Sequence, residues 1–151
     1  MKKRILVWAL LLVVGAGSAF ANNNDEGVND KVVKSFKKEF ATAQDVQWEN
    51  SKSFAKATFK LNEQIICAYY SQDGDLLGMT RNIVSTQLPI NLLTDLKKNY
   101  NDYWITDLFE MASGDSTSYY ITIEDSDYSI VLKSSGADNW EVYKKDRKDS
   151  L

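Results

Sequence analysis

The chain has 151 residues, 18 basic against 21 acidic, one cysteine and no histidine. The missing imidazole excludes Ser-His-Asp and Cys-His catalysis and His-ligated zinc. A lone Cys67 excludes thiolate zinc sites, iron–sulfur clusters and an intramolecular disulfide, and the net charge of −3 argues against a nucleic-acid partner, whose phosphates require a basic patch.

Met1-Lys2-Lys3-Arg4 is a basic start, Ile5 to Gly17 is an apolar run, and Ala19-Phe20-Ala21 is a small-x-small pattern. This order predicts a secretory signal over 1–21, cleaved after Ala21. The apolar run is shorter than the ~20 residues of a spanning helix, so no stable membrane anchor is expected after cleavage. The mature chain then has 130 residues and a charge of −6, with a periplasmic or secreted address. Residues 22–27 are polar and read as a disordered leader. One domain is expected over 28–151, built of repeats 28–84 and 85–146.

Val28, Val32, Val33, Phe36 and Phe40 fall on one helical stripe, with Lys34, Lys37, Lys38 and Glu39 facing away. Asn29 or Asp30 is the expected cap, and the helix should end near Phe40 or Ala41. Four strand-like runs follow. Val46 and Trp48 alternate with Gln47 and Glu49. Ala55, Ala57, Phe59 and Leu61 alternate with Phe54, Lys56, Thr58 and Lys60, a half-buried strand pattern. Asn62-Glu63 turns the chain into a run over 64–71 that is apolar on both faces. Asp73-Gly74 signals a hairpin into a fourth strand over 76–84.

The pattern then restarts. Pro89 suits the first turn of a helix, and Ile90, Leu93, Leu96, Lys97 and Tyr100 follow at helical spacing. Strands are expected over 105–111, 117–124, 128–133 and 139–144, with turns at Asp125-Ser126-Asp127 and Ser135-Gly136-Ala137. At an offset of 60, Val32 falls on Leu92, Phe36 on Leu96, Lys37-Lys38 on Lys97-Lys98 and Phe40 on Tyr100. Gly74 and Gly136 are 62 apart, which leaves room for a small indel. The order of helix, Lys-Lys, aromatic and four strands therefore occurs twice, as an internal duplication produces. Each helix needs a sheet to cover it, which gives an α+β fold: two tandem helix-plus-four-strand repeats, an antiparallel sheet, and helices on one face.

Several tracts carry a family resemblance: Phe40-Ala41-Thr42-Ala43 with Val46-Gln47-Trp48, Tyr70-Ser71-Gln72-Asp73-Gly74, Leu88-Pro89 opening the second helix with Tyr100 at its end, and Tyr120-Ile121-Thr122-Ile123-Glu124. On these the chain resembles the PepSY-like, β-lactamase-inhibitor-like family of small exported Bacteroidetes proteins. Ala41 and Asn101 stand where that family usually has proline. The resemblance implies a fold like that of β-lactamase inhibitor proteins and brings no catalytic residues with it.

The remaining candidate chemistry is sparse. No glycine pattern cradles phosphate, and no cofactor or metal is expected. Asp73 and Asp75 offer too few oxygens for calcium and read as a solvated hairpin. Glu124, Asp125 and Asp127 form an acidic tip that reads as a turn. No spacing sets two carboxylates across a cleft, so the chain is not expected to be an enzyme. Cys67 reads as a buried strand thiol and Trp48 as core. Phe54, Tyr120 and Tyr143, with Lys56, lie opposite the core-facing positions of their strands and are the candidates for an outward, partner-binding sheet face. The function expected is an exported non-enzymatic binding or inhibitory module gripping a protein or peptide. The alternative is a cell-envelope protein that binds or senses a small ligand such as a glycan or peptidoglycan fragment.

Overall fold

The computed structural model describes residues 27–148, so the expected signal over 1–21 and most of the leader lie outside the described residues. Helix α1 (Asp30–Glu39) starts where Asn29, in an extended conformation, accepts the Lys31 N–H on its side-chain oxygen at 2.9 Å. Helix α2 (Ile90–Asn99) starts after Pro89, whose missing N–H would have had no intrahelical partner there. Both helices close alike: the N–H of Phe40 bonds the Phe36 carbonyl and that of Tyr100 bonds the Leu96 carbonyl. Ten-residue helices are marginal alone in water, so each depends on its buried stripe: Val32 and Phe36 on α1, Leu92 and Leu96 on α2.

The strands are β1 (Gln44–Asn50), β2 (Ala55–Leu61), β3 (Gln64–Tyr70), β4 (Leu76–Asn82), β5 (Trp104–Ser113), β6 (Ser116–Glu124), β7 (Tyr128–Ser135) and β8 (Glu141–Arg147). They form one antiparallel sheet in sequence order, and a 3-10 turn at Ser85–Gln87 leads into α2. The fourth strand therefore stops at Asn82, short of the expected Val84. Turn chemistry sets the register. Asn62 and Glu63 both have positive φ, 48° and 64°, as a two-residue hairpin turn requires. Gly74 sits at φ 90°, and its hairpin lies so close to α1 that a Cβ would meet the Lys31 carbonyl oxygen at 2.9 Å. Gly136, at the matching place in the second unit, has the same φ and open space around it.

The two helix-plus-four-strand units match in their irregularities as well as in their helices. Register shifts fall between Gln44 and Gln47 in β1 and between Ile105 and Asp107 in β5. A second pair falls opposite Tyr69/Tyr70 and opposite Val131/Leu132, which are 62 residues apart like the two glycines.

Both helices cover the same sheet face. Val32 and Phe36 pack on Ala55, Ala57, Phe59, Ala68 and Tyr70. Leu92 and Leu96 pack on Leu108, Ile121, Ile123, Ile130, Leu132 and Trp140. Cross-strand partners share a face, and Met79↔Ala112 and Arg81↔Glu110 carry the first core's face across the β4–β5 seam into the second's. One aromatic ties each helix down. The Tyr70 hydroxyl donates to Glu39 at 2.5 Å, and the buried Trp140 indole donates to the Leu92 carbonyl at 3.0 Å. Over the seam Arg81 pairs with Glu110 at 3.1 Å beside a cavity of about 170 Å³. The outer edges are blunted: β1 by its bulge and Asp45 at φ 52°, β8 by Lys144, Lys145 and Arg147.

Candidate functional site

Among the described residues, no helix covers the opposite sheet face, and the register specifies what stands on it. One cross-strand row runs Thr58, Cys67, Thr80, Met111, Ser118. A second runs Asn82, Phe109, Tyr120, Lys133, Glu141. A third runs Glu49, Lys56, Tyr69, Gly78. Phe54, just ahead of β2, joins them, and its ring lies 5.9 Å from that of Tyr69.

Phe54, Tyr69, Phe109, Met111 and Tyr120 form a third apolar cluster, with Cys67, Leu77 and Val131 packed against it. Phe109 and Tyr120 stack at 5.0 Å and 13°. Tyr143, beside the β8 register shift, meets Tyr120 edge-on at 6.0 Å. Gly78 makes room in the middle. A Cβ there would lie 3.0 Å from the Ala112 carbonyl oxygen and 3.6 Å from the Met111 methyl.

The structure thus places Phe54, Lys56, Tyr120 and Tyr143 on the helix-free face and brings Phe54 and Tyr120 into one cluster. It corrects their expected outward exposure. Phe54 is 8% exposed and Tyr120 1%, and both pack within this cluster. Tyr143 is half-buried. Lys56 lies low on the face, its ammonium 2.9 Å from Glu49. Burial alone would lower its pKa, but the Glu49 hydrogen bond and the nearby Cys67 and Tyr69 outweigh that and hold it above the usual lysine value. Burial pushes the Tyr69 phenol up, helped by Cys67 and opposed by Lys56 and a Thr80 hydrogen bond. Lys133 lies over the Tyr120 ring at 5.5 Å. Asp107, opposite Thr122, is half-buried, and its carboxyl is raised by burial against the pull of the Leu108 N–H. Cys67 is half-buried rather than buried, 3.6 Å from the Thr58 hydroxyl.

Sequence reasoning missed Tyr69, Phe109 and Met111. The doubly apolar reading of 64–71 was the available signal for Tyr69. The alternation Leu108-Phe109-Glu110-Met111 was the signal for the other two.

The acidic tracts are engaged in structure. Asp125 accepts the N–H groups of Tyr128 and Asp127, which with the Tyr103 hydroxyl lower its pKa. Glu124 accepts from Lys148 at 2.7 Å and from Ser129 at 3.2 Å. Asp73 reaches the exposed Lys31 at 3.7 Å. Among the described residues, no group of three or more acidic or cysteine side chains is placed to hold a metal ion. This face carries a packed aromatic cluster that includes one stacked ring pair, with the Lys133 ammonium over Tyr120 and Lys56 beside Tyr69.

Compared by sequence, the chain matches no family profile and no curated protein. Compared by structure, it matches solved proteins of Bacteroides. A BLIP-like protein from Bacteroides fragilis superposes with a TM-score of 0.66 at 16% identity, over 85% of this chain and 89% of that one. The fold is BLIP-like. A DUF2874 family protein from Bacteroides ovatus gives a TM-score of 0.70 at 14% identity, over 83% and 89%. A Bacteroides eggerthii protein, provisionally assigned to the periplasm, gives 0.70 at 14% identity, over 80% and 88%. These likenesses support the expected fold and its occurrence in Bacteroides proteins, and they do not support the PepSY-like label. Among the described residues, no helix is long and apolar enough to cross a membrane.

Proposed function

We propose that this BLIP-like chain is an exported, non-enzymatic binding or inhibitory module that engages a protein or peptide partner on its helix-free sheet face. The observation that carries this reading is the cluster of Phe54, Tyr69, Phe109, Met111 and Tyr120, assembled on the sheet face that no helix among the described residues covers. Ring stacking fixes the floor, so little side-chain entropy remains to be lost on binding. Lys56, Lys133 and Tyr143, all half-buried, form its polar margin. The periplasmic assignment of one structural neighbour and the signal pattern at residues 1–21 support an exported address. Membership of the PepSY-like family belongs to the same proposal.

Affinity capture from the native envelope fraction with tagged residues 22–151 tests it. A stoichiometric protein partner whose affinity falls with Lys133→Ala and Tyr143→Ala supports the reading. Unchanged affinity in both variants refutes the site. Lys133 and Tyr143 are used because truncating the buried Phe54 or Tyr120 would also unsettle the fold.

A second reading, envelope-glycan binding, draws on one observation. Trp104 stands at the end of this face, 51% exposed, with Glu124 opposite it in register and Lys148 over its ring at 4.8 Å. A thermal-shift screen with peptidoglycan fragments tests it: stabilisation lost in Trp104→Ala supports it, and no shift at millimolar ligand counts against it.

A further inference from the structure

The helices carry a charge pattern that the sheet lacks. Six lysines stand against three acids on α1 and α2, whereas elsewhere among the described residues nine basic side chains stand against fifteen acidic ones. The cations of the sheet are mostly neutralised in place. Lys56, Lys60, Arg81, Lys144 and Lys148 pair with Glu49, Glu63, Glu110, Asp146 and Glu124. Lys133 and Lys145 lie over the Tyr120 and Tyr128 rings. On the helices, Lys31 reaches Asp73 only at 3.7 Å, and Lys34, Lys37, Lys38, Lys97 and Lys98 are exposed with no ion pair among the described residues. Two helix acids are engaged elsewhere: Glu39 accepts the Tyr70 hydroxyl and Asp95 the Asn99 amide.

Because Val32, Phe36, Leu92 and Leu96 point into the sheet, the 3.6-residue period turns these lysines outward. Both helices lie on one sheet face, so the lysines form a single basic layer. Ile90, 72% exposed, lies seven residues before Lys97 and so on the same helical stripe, an apolar side chain among the ammonium groups.

We propose that this helix layer docks the protein onto an anionic bilayer surface, with the five unpaired lysines against phosphate headgroups and Ile90 at the headgroup–acyl boundary. Lysine is a compact point charge suited to phosphate, and each one near an anionic membrane strengthens partition by about fivefold. An exposed aliphatic side chain adds apolar contact at the interface. The acidic excess of the rest of the molecule is repelled by the same surface, which selects the helix side down. Such docking leaves the helix-free face open and does not depend on its having a partner.

Sedimentation of residues 22–151 with vesicles tests this, using phosphatidylglycerol mixed into phosphatidylcholine against phosphatidylcholine alone. Binding to the anionic vesicles alone, weakening steeply as salt rises, is the expected result. Lys97→Gln with Lys98→Gln should weaken it about tenfold or more, and Ile90→Ser should weaken it further. Lys52→Gln with Arg147→Gln removes the same charge from the sheet side and should change it little. Equal partition to the two vesicle types, or equal effects of the two double variants, overturns the proposal. Retention on heparin without vesicle binding would reassign the lysines to a polyanionic glycan and overturn it as well. All substituted residues are exposed, so unchanged circular-dichroism melting separates these outcomes from misfolding.

Discussion

Gly74 and Gly136 form a matched pair of probes, because they occupy the same turn in the two units at the same φ of 90°. Replacing either with alanine forces a side chain into the left-handed region, which costs roughly 1–2 kcal/mol. At Gly136 that is the whole effect, since nothing lies within 4 Å of the added Cβ. At Gly74 the new carbon would sit 2.9 Å from the Lys31 carbonyl oxygen, 3.1 Å from its carbon and 3.1 Å from the Ser35 hydroxyl. Two of those three atoms are backbone, so the hairpin must lift off α1 or the helix must shift, at a cost of about 1–3 kcal/mol more. For a domain of this size each kcal/mol lowers Tm by about 3–5 °C. Gly136→Ala should therefore lose about 3–10 °C and Gly74→Ala about twice that, measured by thermal and urea unfolding under circular dichroism. Equal losses in the two variants would refute the close approach of the first hairpin to α1 as the source of the difference.

Phe36 meets Phe40, Trp48, Phe59 and Tyr70 edge-on or tilted at 5.0–6.5 Å, so Phe36→Ala should cost about 3–5 kcal/mol, read from the shift in urea midpoint. Trp140→Phe removes the donor to the Leu92 carbonyl and should cost about 1 kcal/mol, whereas Trp104→Phe should be close to neutral. The Tyr70 phenol is raised first by burial and then by Glu39, so the folded state keeps a proton that the unfolded chain loses near pH 10. Stability from this source is complete below pH 10 and falls above it by about 1.4 kcal/mol per pH unit. Tyr70→Phe should flatten that alkaline slope, and an unchanged slope in pH-dependent urea melts would rule the residue out. Asp107 is raised by burial, so Asp107→Asn should raise Tm at pH 7 and lose its advantage below about pH 4; a loss of Tm at pH 7 would contradict this.

Much of the scaffold was legible because it rests on local chemistry. The stripes at Val32/Phe36 and Leu92/Leu96, the Asn29 cap, the Asn62-Glu63 turn and the hairpin glycines each state their structure within a few residues. The Gly114 turn between β5 and β6, with φ 58°, was not read, since one glycine beside Asp115 resembles many loops. The candidate site was legible only in part. Alternation assigns Phe54 and Tyr120 to the face opposite the core, and the register agrees. It cannot say that the two would be buried there. They pack with Tyr69, Phe109 and Met111, which meet across strands around Gly78, a long-range arrangement that no single strand's pattern encodes. That these helix lysines form no ion pair among the described residues was likewise invisible, because it depends on which acids the sheet brings near.

A sheet whose strands lie side by side in the order they are synthesised lets each strand pair with one that has already emerged. Such connectivity shortens the loops that must close and favours rapid folding. For a chain delivered N-terminus first, α1 through β4 already holds its own apolar core before residue 104 appears. That half waits with β4 as an unpaired edge until β5 arrives, so the interval between those two strands is when the emerging chain is most exposed to pairing with a neighbour.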